Sequence, residues 1–140
     1  MRSFIVVAIL GLLALGASAW AGVDWQQSYH AALQKAKKED KLVMVDLYAD
    51  WCGPCKLLDR DTFGNKDVEQ RLSKEFIAVK VNLERSKEAG ELAKKFGASA
   101  IPHVIFVNSD GKKIADIIGY VSAREFLKEL DGVAEKAKTK

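Results

Sequence analysis

Cys52 and Cys55 are the only cysteines in the chain, and only Gly53 and Pro54 separate them. They sit within Lys41–Leu58, KLVMVDLYADWCGPCKLL, where Leu42–Leu47 read as a mostly apolar strand and the following residues as the start of a helix. A Cys-x-x-Cys at a strand-to-helix junction is the arrangement of a dithiol redox centre. The first thiol lies over unpaired backbone N–H groups and the positive helix end, which favour thiolate over thiol. The second returns within reach one turn later. In an oxidising compartment a structural staple is the competing reading. Closing so short a loop, however, removes little entropy from the unfolded chain.

The length of 140 residues and 49% apolar content fit one globular domain. The first segment reads as something separate. Met1-Arg2-Ser3 carries a positive charge, Phe4–Leu15 is apolar, and Ala17-Ser18-Ala19 or Ala19-Trp20-Ala21 offers a small-residue processing site. Residues 1–21 therefore read as a secretory signal peptide, with an uncleaved membrane anchor as the alternative. Gly11, Gly16 and Ser18 weaken the anchor. Residues 22–140 form the expected domain, ending in a sparse basic tail of Lys136, Lys138 and Lys140. A net charge of +3, with acidic and basic residues interleaved, argues against a nucleic-acid partner.

Asp24 and Gln27 resemble a reciprocal N-cap, which starts a first helix over Trp25–Lys38. His30 falls on its flank as a surface residue. The Leu42–Leu47 strand is apolar almost without alternation, with Asp46 as its exception, so both of its faces are expected to be covered. A helix from Cys52 through Arg60 would turn Cys55, Leu57 and Leu58 toward the sheet. Asn65 caps a further helix carrying Val68 and Leu72. Phe76–Leu83 reads as a second strand, with Lys80 as its polar exception, and Ser86–Phe96 as a helix stopped by Gly97. His103–Asn108 and Lys113–Ile118, around Ser109-Asp110-Gly111, form an antiparallel hairpin ending at Gly119. Ser122 and Glu125 make a capping box for a closing helix with Phe126, Leu127 and Leu130 inward.

Val45–Lys56, VDLYADWCGPCK, followed at a distance by Ile101-Pro102 and a glycine after the hairpin, resembles the thioredoxin family across about residues 40–132. Within it, DLYADWC, Thr62-Phe63 and the later VNL are similar to the C-terminal periplasmic domain of the membrane thiol reductase DsbD. Gly53-Pro54 departs from that domain and matches ordinary thioredoxin. The resemblance implies an α/β thioredoxin fold, with a central mixed β-sheet covered by helices on both faces.

The resemblance also implies roles. Cys52 is the nucleophile at an exposed helix start, and Cys55 resolves the mixed disulfide. Asp46 exchanges a proton with Cys55, and Lys80 pairs with Asp46 from the neighbouring strand. Trp51, Gly53 and Pro54 flank the sulfurs. Ile101, ahead of a cis Pro102, offers its backbone to an extended client, and Gly119 permits close approach. His103 stands where thioredoxin has threonine, with an auxiliary role or a pH-tuned one at the docking groove.

The expected function is reduction of disulfide-bearing exported proteins in the periplasm, with cytochrome c maturation as one context. Electrons would come from a membrane thiol donor of DsbD type, and the protein would act as a monomer. Oxidase or isomerase use, or a redox-sensitive binding module, are the alternatives. No nucleotide-binding motif appears, and zinc would need two ligands beyond the cysteines, with only His103 near. No cofactor or metal is expected.

Overall fold

The computed structural model describes residues 22–139, so the leader assigned to residues 1–21 and the terminal Lys140 lie outside the described residues. The chain runs β1 (Trp25–Gln26), α1 (Tyr29–Glu39), β2 (Leu42–Tyr48), α2 (Gly53–Leu57), a π-helical turn (Leu58–Phe63) and α3 (Lys66–Glu75). It continues through β3 (Phe76–Asn82), α4 (Ala89–Phe96), β4 (His103–Val107), β5 (Lys113–Ile118) and α5 (Ala123–Lys138). The five strands form one mixed sheet in the order β1-β3-β2-β4-β5. β2 pairs parallel with β3 and antiparallel with β4, and β4 with β5 closes the expected hairpin.

Strand alternation divides the core in two. Val43, Val45 and Leu47 face α1 and α4, packing with Tyr29, Ala32, Ala36, Leu92 and Phe96. Met44 faces the other way, toward Leu58, Phe63, Leu72, Phe106 and Phe126. Burial on both faces accounts for the nearly unbroken apolar run of β2, and β2 is central as expected.

Three local expectations need correction. Trp25 and Gln26 do not begin a helix: they pair with Ala78 and Val79 as an edge strand, and the Trp25 ring sits 5.0 Å from Phe63. The helix starts at Tyr29, because Ser28, not Asp24, takes the cap by accepting from the Ala31 N–H at 3.2 Å. After the cysteines the α-helix stops at Leu57, which is 41% exposed rather than turned to the sheet. The chain then widens into a π-turn that brings Leu58, Thr62 and Phe63 inward. Gly64 closes that turn so tightly that a Cβ there would lie 2.6 Å from the Arg60 carbonyl oxygen. Finally, Lys136 and Lys138 are not a frayed tail but the last turn of α5. The Asn65 cap, the stop at Gly97 and the Ser122–Glu125 capping box are all present.

Candidate active site

β2 emerges from the sheet centre and delivers Ala49, Asp50 and Trp51 to the mouth of α2. Cys52 is the N-cap of α2 and forms a disulfide with Cys55. Pro54 occupies the first turn, where its missing N–H removes no helical bond. The Cys55 N–H donates to Cys52 Sγ at 3.2 Å, and a donor aimed at that sulfur would favour the thiolate in the reduced pair.

Cys52 is less accessible than expected. Both cysteines are 3% exposed, because the bonded sulfurs pack with Ala49 against Tyr48 and Ile101. Exposure lies instead in the surroundings: Trp51 is 69% exposed, and Gly53 and Pro54 are also at the surface. A groove of about 420 Å³ runs beside Trp51 between Leu83, Ala98, Ser99, Ala100 and Ile101. The Ile101–Pro102 peptide is cis. Gly119, at φ +90°, donates its N–H to the Pro102 carbonyl at 2.8 Å. Most side chains avoid that backbone region, so glycine suits the position.

Asp46 and Lys80 are register partners on β2 and β3. Lys80 Nζ donates to Asp46 Oδ2 at 3.1 Å and to Asp59 Oδ1, from the π-turn, at 2.7 Å. The ammonium also lies 4.2 Å from the centre of the Tyr48 ring. Asp46 is 1% exposed, and its Oδ1 is buried without a hydrogen-bond partner. Burial pushes the Asp46 carboxyl up to about 6, with the nearby Asp59 adding to the rise and the Lys80 ammonium opposing it. For Lys80, burial works against the charge, but the two carboxylates outweigh it and hold its pKa above the ordinary lysine value. Sequence reasoning missed Asp59, whose acidic neighbourhood Asp59-Arg60-Asp61 reads as a solvated helix end.

His103 lies under the surface rather than in the groove. It is 1% exposed, Nε2 meets Asp116 Oδ2 at 2.8 Å, and Nδ1 is buried without a partner. Lys113 reaches the same carboxylate at 2.7 Å. Among the described residues no group of three or more His, Cys, Asp or Glu converges as a metal set, and no helix is long and apolar enough to cross a membrane.

A mixed sheet of this order, with a Cys-Gly-Pro-Cys disulfide at a helix mouth and, on the strand leading to it, a buried aspartate paired with a lysine of the next strand, defines a thiol–disulfide oxidoreductase domain. The chain belongs to the thioredoxin-like family, whose domain model matches residues 29–134. It is 28% identical over 154 aligned residues to the thiol:disulfide interchange protein DsbD of Actinobacillus pleuropneumoniae, covering 94% of this chain and 26% of that protein. The chain thus spans about a quarter of that relative's length. Among solved structures, a putative disulphide-isomerase from Bacteroides thetaiotaomicron is 35% identical with a TM-score of 0.72, covering 81% of this chain and 94% of that one. The oxidised C-terminal domain of Neisseria meningitidis DsbD is 30% identical with a TM-score of 0.62, covering 74% and 90%.

Proposed function

We propose that this protein is an exported reductant of protein disulfides, cycling between a Cys52/Cys55 dithiol and the disulfide. The single observation that carries the reading is the Cys52–Cys55 disulfide set at the mouth of α2 beside an apolar groove bounded by Trp51 and Ile101. In the reduced protein the Cys52 thiolate attacks one sulfur of a client disulfide. A Cys52–client bond forms, and the other client sulfur leaves as a thiolate that takes up a proton. Cys55 then loses its proton and attacks Cys52 Sγ, which expels the second client thiolate. Two electrons have passed to the client, and the Cys52–Cys55 disulfide is the oxidised product.

Asp46 is the group we assign to receive the Cys55 proton, directly or through water. A carboxyl pushed up to about 6 is poised to exchange protons close to neutral pH, which an ordinary aspartate is not. Lys80 holds that carboxylate from the next strand. The Ile101 backbone would pair with an extended client segment, with Pro102 fixing its direction and Gly119 leaving room for the client chain. Gly53 adds no side chain beside the sulfurs, and Pro54 has no N–H to direct at them. His103, buried against Asp116, does not present its ring to the client.

Export rests on the leader-like residues 1–21, and use in the periplasm follows from it. A compartment kept oxidising requires a membrane dithiol of DsbD type to return the two electrons. Haem attachment to c-type cytochromes, which needs reduced client cysteines, is one process such a monomeric reductant would serve. An isomerase, the description carried by the Bacteroides structure, would use the same exchange without net electron transfer. Insulin reduction in the presence of dithiothreitol tests the reading. The wild-type chain accelerates it and Cys52→Ser does not; equal rates for the two would sink it.

A further inference from the structure

His103 is the first residue of β4 and follows cis Pro102 directly. Strand alternation puts its ring on the face of Ile105 and Val107, opposite to Asp46, and its register partner on β2 is Leu47. The ring is 1% exposed, and its Nε2 meets Asp116 Oδ2 of β5 at 2.8 Å. Among the described residues its Nδ1 has no partner. Partial burial opposes the Asp116 charge, but bonds from Lys113 and His103 hold its carboxyl below the ordinary value of 3.8. That carboxylate can only accept, so Nε2 carries the hydrogen of the neutral ring and Nδ1 keeps a bare lone pair. On the other side of this layer α1 and α4 contribute Tyr29, Leu92 and Phe96. The charges those helices bring, Lys95, Glu88 and Glu91, act on Tyr29, whose hydroxyl burial pushes above its ordinary value of 10.0 and keeps neutral.

On the disulfide-exchange reading above, we propose that His103 is a positioning residue whose protonation at Nδ1 loosens the Ile101–Pro102 backbone, so that client docking weakens in acid. The Asp116 charge favours uptake of that proton, while burial and Lys113 oppose it. The proton lands on Nδ1, the one vacant nitrogen, and turns a bare acceptor into a buried donor with nothing to receive it. Charging the ring also strengthens the bond from Nε2 to Asp116, so the far end of the ring is held. Relief therefore comes at the end nearer the backbone, where Nδ1 sits. That backbone continues into Pro102, whose carbonyl accepts the Gly119 N–H at 2.8 Å. A shift there disturbs both the Ile101 segment and Gly119. Only the molecules still in the docking pose then bind a client, and apparent affinity falls by that fraction. Asp46, pushed up to about 6, titrates across the same range from the opposite face, and it acts on the rate of exchange rather than on docking.

The reduced full chain and its His103→Thr and Asp116→Asn variants are mixed by stopped flow with an excess of one of two substrates between about pH 5.5 and pH 8. One is a disulfide-bridged peptide carrying a fluorophore and a quencher, the other bis(2-hydroxyethyl) disulfide. In the wild type the half-saturating peptide concentration is expected to rise about three- to tenfold toward the acid end. In His103→Thr it stays flat, while the maximal rate keeps its pH dependence and the small disulfide reacts with the wild-type profile. In Asp116→Asn the rise moves to lower pH, because the charge that favours the protonated ring is gone. Nuclear magnetic resonance of the wild type needs no variant to fold. Its His103 ring nitrogens should report the Nε2–H form at about pH 8 and gain of the Nδ1 proton in acid, with the exchange protection factor of the Gly119 amide falling in step. A half-saturation that rises equally in His103→Thr, one that is flat in the wild type, or Gly119 protection that holds while the ring titrates overturns this inference alone. Absence of exchange by the wild-type chain with both substrates at every pH overturns the exchange reading and this inference with it.

Discussion

Replacing Asp46 with Asn removes a charge that the fold holds at a cost, so the variant should be more stable than the wild type at neutral pH. The magnitude follows from the carboxyl's rise from 3.8 to about 6 on folding, which corresponds to about 3 kcal/mol. The sign is fixed by proton counts. Between these two values the folded state binds more protons at Asp46 than the unfolded chain does. The group's contribution is therefore complete below the unfolded value, declines as pH rises toward about 6, and is flat above it. Asn does not titrate and lacks that decline. Lys80 keeps Asp59 at 2.7 Å and an amide oxygen in place of the Asp46 carboxylate, which offsets part of the gain. The expected difference at pH 8 is about 1–3 kcal/mol in favour of the variant, shrinking toward pH 4. Guanidinium unfolding of both oxidised proteins at several pH values between 4 and 8 measures it. Taking the difference between the two curves cancels the other titrating groups. Curves that run parallel across this range, or a variant less stable at pH 8, would refute the burial argument.

Glu88→Ala should cost about 1–2 kcal/mol, since Glu88 accepts the Tyr29 and His30 N–H groups at the start of α1 at 2.7 and 3.2 Å. Partial burial opposes the Glu88 charge, but bonds from His30 and those two N–H groups hold its pKa below the ordinary value of 4.5. Its contribution is thus present above that value and lost as pH falls through the lower folded one, so thermal melts of wild type and Glu88→Ala should converge in acid. Cys55→Ser should accumulate a mixed disulfide with insulin through Cys52, visible by mass spectrometry under non-reducing conditions. An adduct that forms equally when Cys52 is also replaced would contradict the assigned order of attack.

The sheet and most helix ends were legible because their signals are local. An apolar run without alternation marks a strand covered on both faces, as in β2, and Asn65, Gly97 and the Ser122–Glu125 box are cap chemistry within four residues of the ends they set. The cysteine pair was equally plain, since no other cysteine competes for either sulfur. What escaped the sequence was set by partners far along the chain. β1 is two residues long and exists because β3 supplies its hydrogen bonds. Glu88 reaches α1 from the other side of β3, Asp59 reaches Lys80 from the π-turn, and Glu84 reaches Trp51 from the far end of the next strand. Each of these carboxylates lies in a charged stretch that reads as solvated surface. The π-turn itself was hidden because Asp59-Arg60-Asp61 looks like a helix end, while the burial of Leu58, Thr62 and Phe63 decides otherwise. The burial of Cys52 was also out of reach, since it depends on Ile101 arriving from a distant loop.

The measurement that bears most directly on the reducing role is the equilibrium of the Cys52–Cys55 pair with defined glutathione buffers, read by thiol alkylation. We expect a two-electron transition at a potential below about −200 mV, on the reducing side of protein disulfide isomerase. A value near about −120 mV, the oxidising range of DsbA, or a pair that does not cycle at all, would contradict the account.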